Sequence, residues 1–323
     1  MKRAVRIFLS LIFVSIPAGC GAPQRVDTAG PISFPSSEPG VVKAMSFNIR
    51  VDTLLDGLNR WAGRRQRVID MLVDHTPDVI GLQEALDHQV LQIQQALPRY
   101  RHYAIGRTDG KRKGETCAIF YRKDRFTLGD SGTFWFSDTP SKPGSKDWGN
   151  LWPRICSWAY LKEKATGGGF YVYNVHLDVL SQNSRQKSAE LLARRITARR
   201  TADPFIVMGD FNMELDNPAM AYLENLDFET PYPRMRTAWQ LVHPGLAGGS
   251  TRHSFIDSPT SGPKIDHIPI CDGARALDVQ IDRRRIDGGY ASDHFPLIAK
   301  IDLATRPEPF GSVAANIRPQ KNP

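Results

Sequence analysis

Six apolar runs in this chain are bounded by a carboxylate, a carboxamide or an imidazole, and that recurring boundary restricts the available folds more than any other feature. "MSFNIR" puts Asn48 at the end of a run, "VIGLQE" puts Glu84 there, "YNVHLD" His176 and Asp178, and "IVMGDFN" Asp210 and Asn212. "KID" carries Asp266, and "ASDHFP" sets Asp293 and His294 at the entrance of a run. Any one such residue is ordinarily a turn or capping residue. Six such places in one domain call for a chemical reason. Along the run "PFIVMGDFN", alternation sends Asp210 and Asn212 to one face and Phe211 to the other.

The runs sit among helical patterns. "VVKAMSFNI", "PDVIGLQE", "TCAIFYR", "GTFWFS", "ICSWAYL", "GFYVYNVHL", "PFIVMGDFN", "KIDHIPI", "LDVQI" and "HFPLIAKI" read as strands. "RRQRVIDMLVDH" has Val68, Ile69, Leu72 and Val73 at helical spacing, with arginines expected on the other face. "DHQVLQIQQAL", "SRQKSAELLARRITARR" and "PAMAYLENL" are further helices, the last opened by Pro218. Strands and helices mixed in this way suggest packed sheets with helices outside. There is no internal repeat and no heptad pattern, so one domain, 41–303, is expected.

The ends differ from this core. "MKRAVR" followed by "IFLSLIFVSI" and "PAGC" has the layout of an export signal, and its apolar stretch is too short for a stable spanning helix. Small residues directly before Cys20 resemble a bacterial lipobox, which implies lipidation of Cys20 and a membrane-anchored protein of the cell envelope; secretion without lipidation is the alternative. Residues 21–40 read as a flexible tether and 304–323 as a loose tail. Cys117, Cys156 and Cys271 allow one internal disulfide at most, or three small buried thiols. The formal net charge of +8 suits an anionic partner, which could be nucleic acid or a lipid headgroup, or serves solubility alone.

Carboxylates, carboxamides and imidazoles recur at the run ends, with no serine–histidine pairing motif, no cysteine nucleophile and no CxxC cluster. Hard oxygen donors with few thiols favour Mg²⁺ or Mn²⁺. Such an ion, together with a carboxylate to orient water and an imidazole, suits attack on phosphorus.

The series "SFNIR", "IGLQE", "GETCAIFYR", "PRICSWAYL", "NVHLD", "GDFN", "IDHI" and "SDHFPL", in that order, resembles the endonuclease/exonuclease/phosphatase superfamily, and the resemblance runs from about Lys43 to Ile301. It implies a four-layered α/β sandwich, with two mixed, mainly antiparallel sheets face to face and helices outside. It implies Glu84 as principal metal ligand, with Asn48 beside it and Asp293 nearby. Asp210 would orient or deprotonate water, and Asn212 would hold the phosphate. His294 would act as acid/base or phosphate stabiliser, oriented by Asp266. His176 would be the second histidine, with Glu115 as its carboxylate partner, and Arg154 would contact the phosphodiester. Asp178 either supports His176 or begins the next turn.

The expected activity is that of an exported, monomeric, divalent-metal-dependent phosphodiesterase or nuclease. A sphingomyelinase-like or phosphoinositide-directed lipid hydrolase, and a non-catalytic binding protein of the same fold, are the alternatives. "KRK" at 111–113 and "RRR" at 283–285 would hold a polyanion if they flank the site. Trp158 is expected in the core. Trp148 and Trp152, in a loop, would stack on a base, dip into lipid or pack beneath the loop.

Overall fold

The computed structural model describes residues 38–225, 230–256 and 262–303. The export-like segment with Cys20, residues 21–37 of the tether and the tail 304–323 lie outside the described residues.

Among the described residues, thirteen strands and five α-helices follow one another as β1 (Val41–Asn48), α1 (Trp61–His75), β2 (Val79–Ala85), α2 (Asp87–Ala96), β3 (Tyr100–Tyr103), β4 (Thr116–Arg122), β5 (Phe126–Trp135), β6 (Ile155–Glu163), β7 (Gly169–His176), α3 (Gln182–Thr197), β8 (Phe205–Asp210), α4 (Pro218–Glu224), β9 (Met235–Thr237), α5 (Ala238–Val242), β10 (Asp266–His267), β11 (Pro269–Cys271), β12 (Arg275–Ile281) and β13 (Leu297–Asp302), with a 3-10 turn over Leu54–Asn59. They build two sheets. One runs β12-β13-β1-β2-β4-β3; the other runs β5-β6-β7-β8-β11-β9, with β10 also paired to β8. Among the described residues, only β1–β2 and β7–β8 are parallel pairs, and every other pair is antiparallel. The fold is the expected sandwich of two mixed sheets with flanking helices.

Alternation sorts each central strand between two cores. In β1, Val42 and Ala44 enter the layer between the sheets, while Met45 and Phe47 pack with Val68, Met71 and Leu72 of α1. In β8, Ile206 and Met208 face between the sheets, and Phe205 and Val207 face Leu192 and Ile196 of α3. Both faces are covered, so these strands read as continuous apolar runs instead of alternating ones.

Followed toward one end, the inward residues change character. In β1 they run Val42, Ala44, Ser46, Asn48; in β7 Phe170, Val172, Asn174, His176; in β8 Ile206, Met208, Asp210. All of these are buried. The space between the sheets is therefore hydrocarbon at one end and hydrogen-bonding at the other. Gly81 lies on the inner face of β2 where the sheets approach closely, and a Cβ there would meet Met208 Sδ and the Asn174 carboxamide.

Strict alternation would turn Glu84 outward, toward the helices. Between Leu82 and Ala85, however, the pairing of β2 with β4 shifts register, so that Gln83 and Glu84 lie opposite Cys117 alone. This bulge, with Glu84 at φ 62°, swings the carboxylate to the inner side. Asn174 of the facing sheet secures it. Its Nδ2 donates to Leu82 O (3.0 Å) and Ala118 O (2.8 Å), and its Oδ1 accepts from Gln83 Nε2 (2.7 Å).

The arginine face expected of α1 is corrected at one position. Arg64 is fully buried and Val73 exposed. The Arg64 guanidinium donates to the carbonyls of Asn59 (2.9 Å), Arg50 (2.7 Å), Ala291 (3.2 Å) and Ile49. It thereby ties the exit of β1 to the turn carrying Asp293 and His294, and Ser292 Oγ adds a bond to Asn48 O (2.7 Å). The long stem of Arg64 suits the inward stripe while its charge is spent on carbonyls. Cys117, Cys156 and Cys271 are all free and buried.

Replacing Asn174 with alanine is expected to remove the donor to two buried carbonyls, Leu82 O and Ala118 O, while Gln83 Nε2 keeps Ser46 Oγ and Gly81 O, and to cost about 3 kcal/mol at 1–3 kcal/mol per unsatisfied group. Urea unfolding measures it; a loss under about 1 kcal/mol would show that the network is dispensable.

Candidate active site

Register brings the polar strand ends together. His176 is the parallel neighbour of Asp210, and Asp210 is the antiparallel partner of Asp266. Asn48 lies beside Gln83, next to the bulge that carries Glu84. The β8 strand stops at Asp210, so Asn212 reaches the site by a left-handed turn (φ 51°) and not by alternation. Phe211 is buried against the His267 ring. The turn needs Gly209, whose φ is 152° and whose missing Cβ would strike Val175 O.

A cleft of about 400 Å³ opens over these residues, lined by Glu84, Glu115, Arg154, His176, Asp210, Asn212, Asp293 and His294. Arg50, Val51, Arg107, Trp152, Val179 and Arg252 complete the wall. Asn48 and Asp266 stand immediately behind. A second hollow of about 300 Å³ at the ends of α1 and α2 carries none of these residues.

Asp210 is the hub. Its Oδ2 accepts from Asn48 Nδ2 (3.0 Å) and lies 3.6 Å from His176 Nε2 and 3.8 Å from His294 Nε2. Its Oδ1 accepts from the Asn212 backbone N–H (2.9 Å). Asn48 Nδ2 also donates to Glu84 Oε1 (3.0 Å), and Val51 N–H to Glu84 Oε2 (2.9 Å), so both Glu84 oxygens are oriented. The Asn212 Nδ2 donates one hydrogen to Leu177 O (3.0 Å).

The two histidines have opposite surroundings. His294 Nδ1 meets Asp266 Oδ2 at 2.8 Å. Burial opposes a charge there, but the carboxylates of Asp266, Asp210 and Asp293 outweigh it and hold the imidazolium up to about 10. At His176, Arg154 Nη1 donates to Nε2 (2.9 Å), which leaves the proton on Nδ1. Burial, then the Arg154 and Arg107 guanidinium groups, push that ring well below the usual histidine range. Burial raises the Asp210 carboxyl, and neighbouring Asp266 raises it further.

Two expected pairings take a different form. Glu115 Oε2 stands 3.9 Å from His176 Nδ1, beyond hydrogen-bonding distance, while its Oε1 is held by Arg107 Nη2 at 2.6 Å. Asp178 both starts the turn and serves a neighbour: it accepts from the backbone of Leu180 and Ser181 and from Arg154 Nε (3.3 Å), not from His176. Arg107, Arg50 and Arg252 are lining residues that the sequence pattern did not single out, since each lies in a loop outside the apolar runs.

Basic and aromatic segments sort clearly. Arg112 of "KRK" pairs with Asp87. Arg283 donates to Gly248 O, Arg284 pairs with Asp74, and Arg285 covers the Tyr290 ring, so "RRR" holds local structure and does not line the cleft. Trp152 stands half exposed on the cleft wall. Trp148 bonds Asp138 and packs partly against the core under α3, and Trp158 is only partly buried.

The donor set fits a hard divalent cation. Glu84, His176 and Asp210 offer ligand atoms within 4.8 Å of one another, as do Asp210, Asp266 and His294. Oxygen dominates both groups, and no thiol joins them.

Two sheets face to face, with carboxylates and imidazoles converging at their polar end, define a hydrolase of the α/β sandwich class. The profile of the Endonuclease/Exonuclease/phosphatase family matches residues 45–294, and the chain belongs to that family of phosphoester hydrolases. A solved endonuclease/exonuclease/phosphatase structure from Bacteroides vulgatus is 32% identical and superimposes with a TM-score of 0.74, over 81% of this chain and 99% of that one. A mannosyl-6-phosphatase from Bacteroides thetaiotaomicron is 29% identical with a TM-score of 0.71, over 80% and 99%. The exoribonuclease subunit Ccr4 of the CCR4-Not complex from Emericella nidulans is 30% identical over 55% of this chain, which spans 30% of that protein's length.

In the metal-free protein, the His294 ring is expected to titrate far above the ordinary histidine range, and Asp266→Asn to bring it down, because the nearest stabilising carboxylate is lost. Histidine NMR in EDTA reads both; a His294 midpoint unmoved by the substitution would remove Asp266 as the cause.

Proposed function

We propose that this chain is an exported phosphodiesterase that needs Mg²⁺ or Mn²⁺ and works by water attack on phosphorus. The observation that carries the reading is the meeting of Glu84, His176, Asp210 and His294, from both sheets, at one cleft. Glu84 and Asn48 would hold the ion, with Asp293 beside them. When bound, the ion supplies charge to polarise the phosphoryl oxygen.

The remaining residues divide the work. Asp210, poised between two imidazoles, orients the attacking water and takes its proton. Neutral His176, with its proton on Nδ1 and Arg154 on Nε2, fixes the guanidinium that receives the phosphate. His294, kept cationic by Asp266, donates to the phosphoryl or leaving oxygen. The free N–H of Asn212 contributes another donor on the same wall. A phosphomonoesterase reading stands second, favoured by the resemblance to the mannosyl-6-phosphatase.

Purified protein is expected to hydrolyse bis-p-nitrophenyl phosphate with Mg²⁺ or Mn²⁺ and to stop with EDTA. Glu84→Ala should lower the rate by about a thousandfold or more, the scale of losing several kcal/mol of metal assistance. Absence of metal-dependent turnover on any mono- or diester would sink the reading. A parallel panel of nucleic acids, sugar phosphates and liposomes separates diester, monoester and lipid substrates.

Export and anchoring belong to the same proposal, and rest on the layout of residues 1–20. The full chain should fractionate with bacterial membranes and incorporate labelled fatty acid, and Cys20→Ala should abolish both. Unchanged fractionation of that variant would exclude the lipid anchor.

A further inference from the structure

Four guanidinium groups line the cleft, and three of them have partners. Arg50 grips Asp56 through contacts of 2.9 and 3.0 Å. Arg107 holds Glu115, and Arg154 is shared between His176 and Asp178. Arg252 differs. Among the described residues, its guanidinium has no hydrogen-bond, ion-pair or ring partner.

Its backbone, in contrast, is held firmly. Arg252 forms an antiparallel bridge with His294. The flanking bonds are His253 N to Asp293 O (2.9 Å) and Phe295 N to Thr251 O (2.7 Å). Both lie outside the Arg252–His294 pair, which makes it a non-hydrogen-bonded pair, the arrangement in which opposed side chains come closest and share one face. His294 faces Asp210, so Arg252 leaves the chain on the site's side. His253 turns to the opposite face and stacks on Phe295, with ring centroids 4.2 Å apart. A buried aromatic anchor thus presents a free guanidinium beside His294.

The placement differs from that of Arg154. His176 and His294 approach the same Asp210 oxygen from 3.6 and 3.8 Å, Arg154 standing beside the first and Arg252 beside the second. One guanidinium is therefore available for the reacting phosphate and a second for a neighbouring group.

Resting on the phosphoesterase reading, we propose that Arg252 forms an anion subsite for a second phosphate of the substrate, distinct from the one hydrolysed. A planar guanidinium fork suits a phosphate better than any other side chain does. The substrate class is then a compound with two phosphates close together, and nucleotides and sugar bisphosphates both supply that chemistry.

The test compares substrates that differ by one phosphate, using wild type, R252M and R252K with Mg²⁺. One pair is the p-nitrophenyl ester of thymidine 5′-phosphate with and without a 3′-phosphate, followed by nitrophenol release. The other is glucose 1,6-bisphosphate against glucose 6-phosphate, followed by inorganic phosphate release. Wild type should prefer the doubly phosphorylated member of one pair by about ten- to a hundredfold in kcat/KM, the range of a charge-assisted hydrogen bond. R252M should bring that ratio to about one, mainly through KM, and R252K should fall between. The pair that shows the preference identifies the source of the second phosphate. A wild type that turns over both members of each pair equally, or a preference that survives R252M, overturns the subsite and leaves the phosphoesterase reading standing. A wild type that hydrolyses no phosphate ester overturns both.

Discussion

One side chain of the second sheet holds the first sheet in the shape the site requires. Asn174 spans the interlayer space to two carbonyls and an amide around the β2 bulge. Without the bulge, pleating would aim Glu84 at the helices and leave the cleft without that carboxylate. The constraint acts in both directions, because the same bonds fix the height of β7, whose next inward residue is His176. A polar group buried between sheets is costly unless fully satisfied. Here its satisfaction sets the relative position of the two halves of the cleft.

Around that frame, charge is distributed unevenly on purpose-built surroundings. His176 stands among arginines and stays neutral; His294 stands among carboxylates and stays cationic. A single carboxylate, Asp210, lies between them. Two copies of the same side chain therefore occupy different protonation states at one pH, the condition that the proposed division of acid–base roles requires. Arg64 underlies the arrangement: it joins the ends of two elements distant in sequence, and burial lowers its guanidinium to about 10 without removing its charge at neutral pH.

Much of this is legible in the amino-acid sequence. The strands carrying Asn48, His176 and Asp210 announce themselves as apolar runs, and their inward parity follows from pleating. The resemblance carried Glu84, Asp266 and His294 as well. What could not be read were the departures from regularity. The bulge at Gln83 and Glu84 and the left-handed turn at Asn212 are each a single-residue event that leaves hydrophobic periodicity unchanged. The short strands β3 and β9 and the helix α5 escaped for want of length. Arg64 escaped because a charged residue on a helix reads as solvent-facing, and its burial depends on carbonyls supplied by segments 5 to 227 residues away. Arg252 and Arg107 lie outside every run, so only the folded chain brings them to the wall.

Cys117 sits opposite the bulge, with its thiol near Ile155 O and pushed up by burial. An alkylating reagent cannot reach it while the layers are closed, and the other two thiols of the described residues are equally enclosed. The rate at which this sulfur is modified in the folded protein therefore clocks the parting of the sheets. It is a built-in timer for the same motion that would let the Glu84 segment relax.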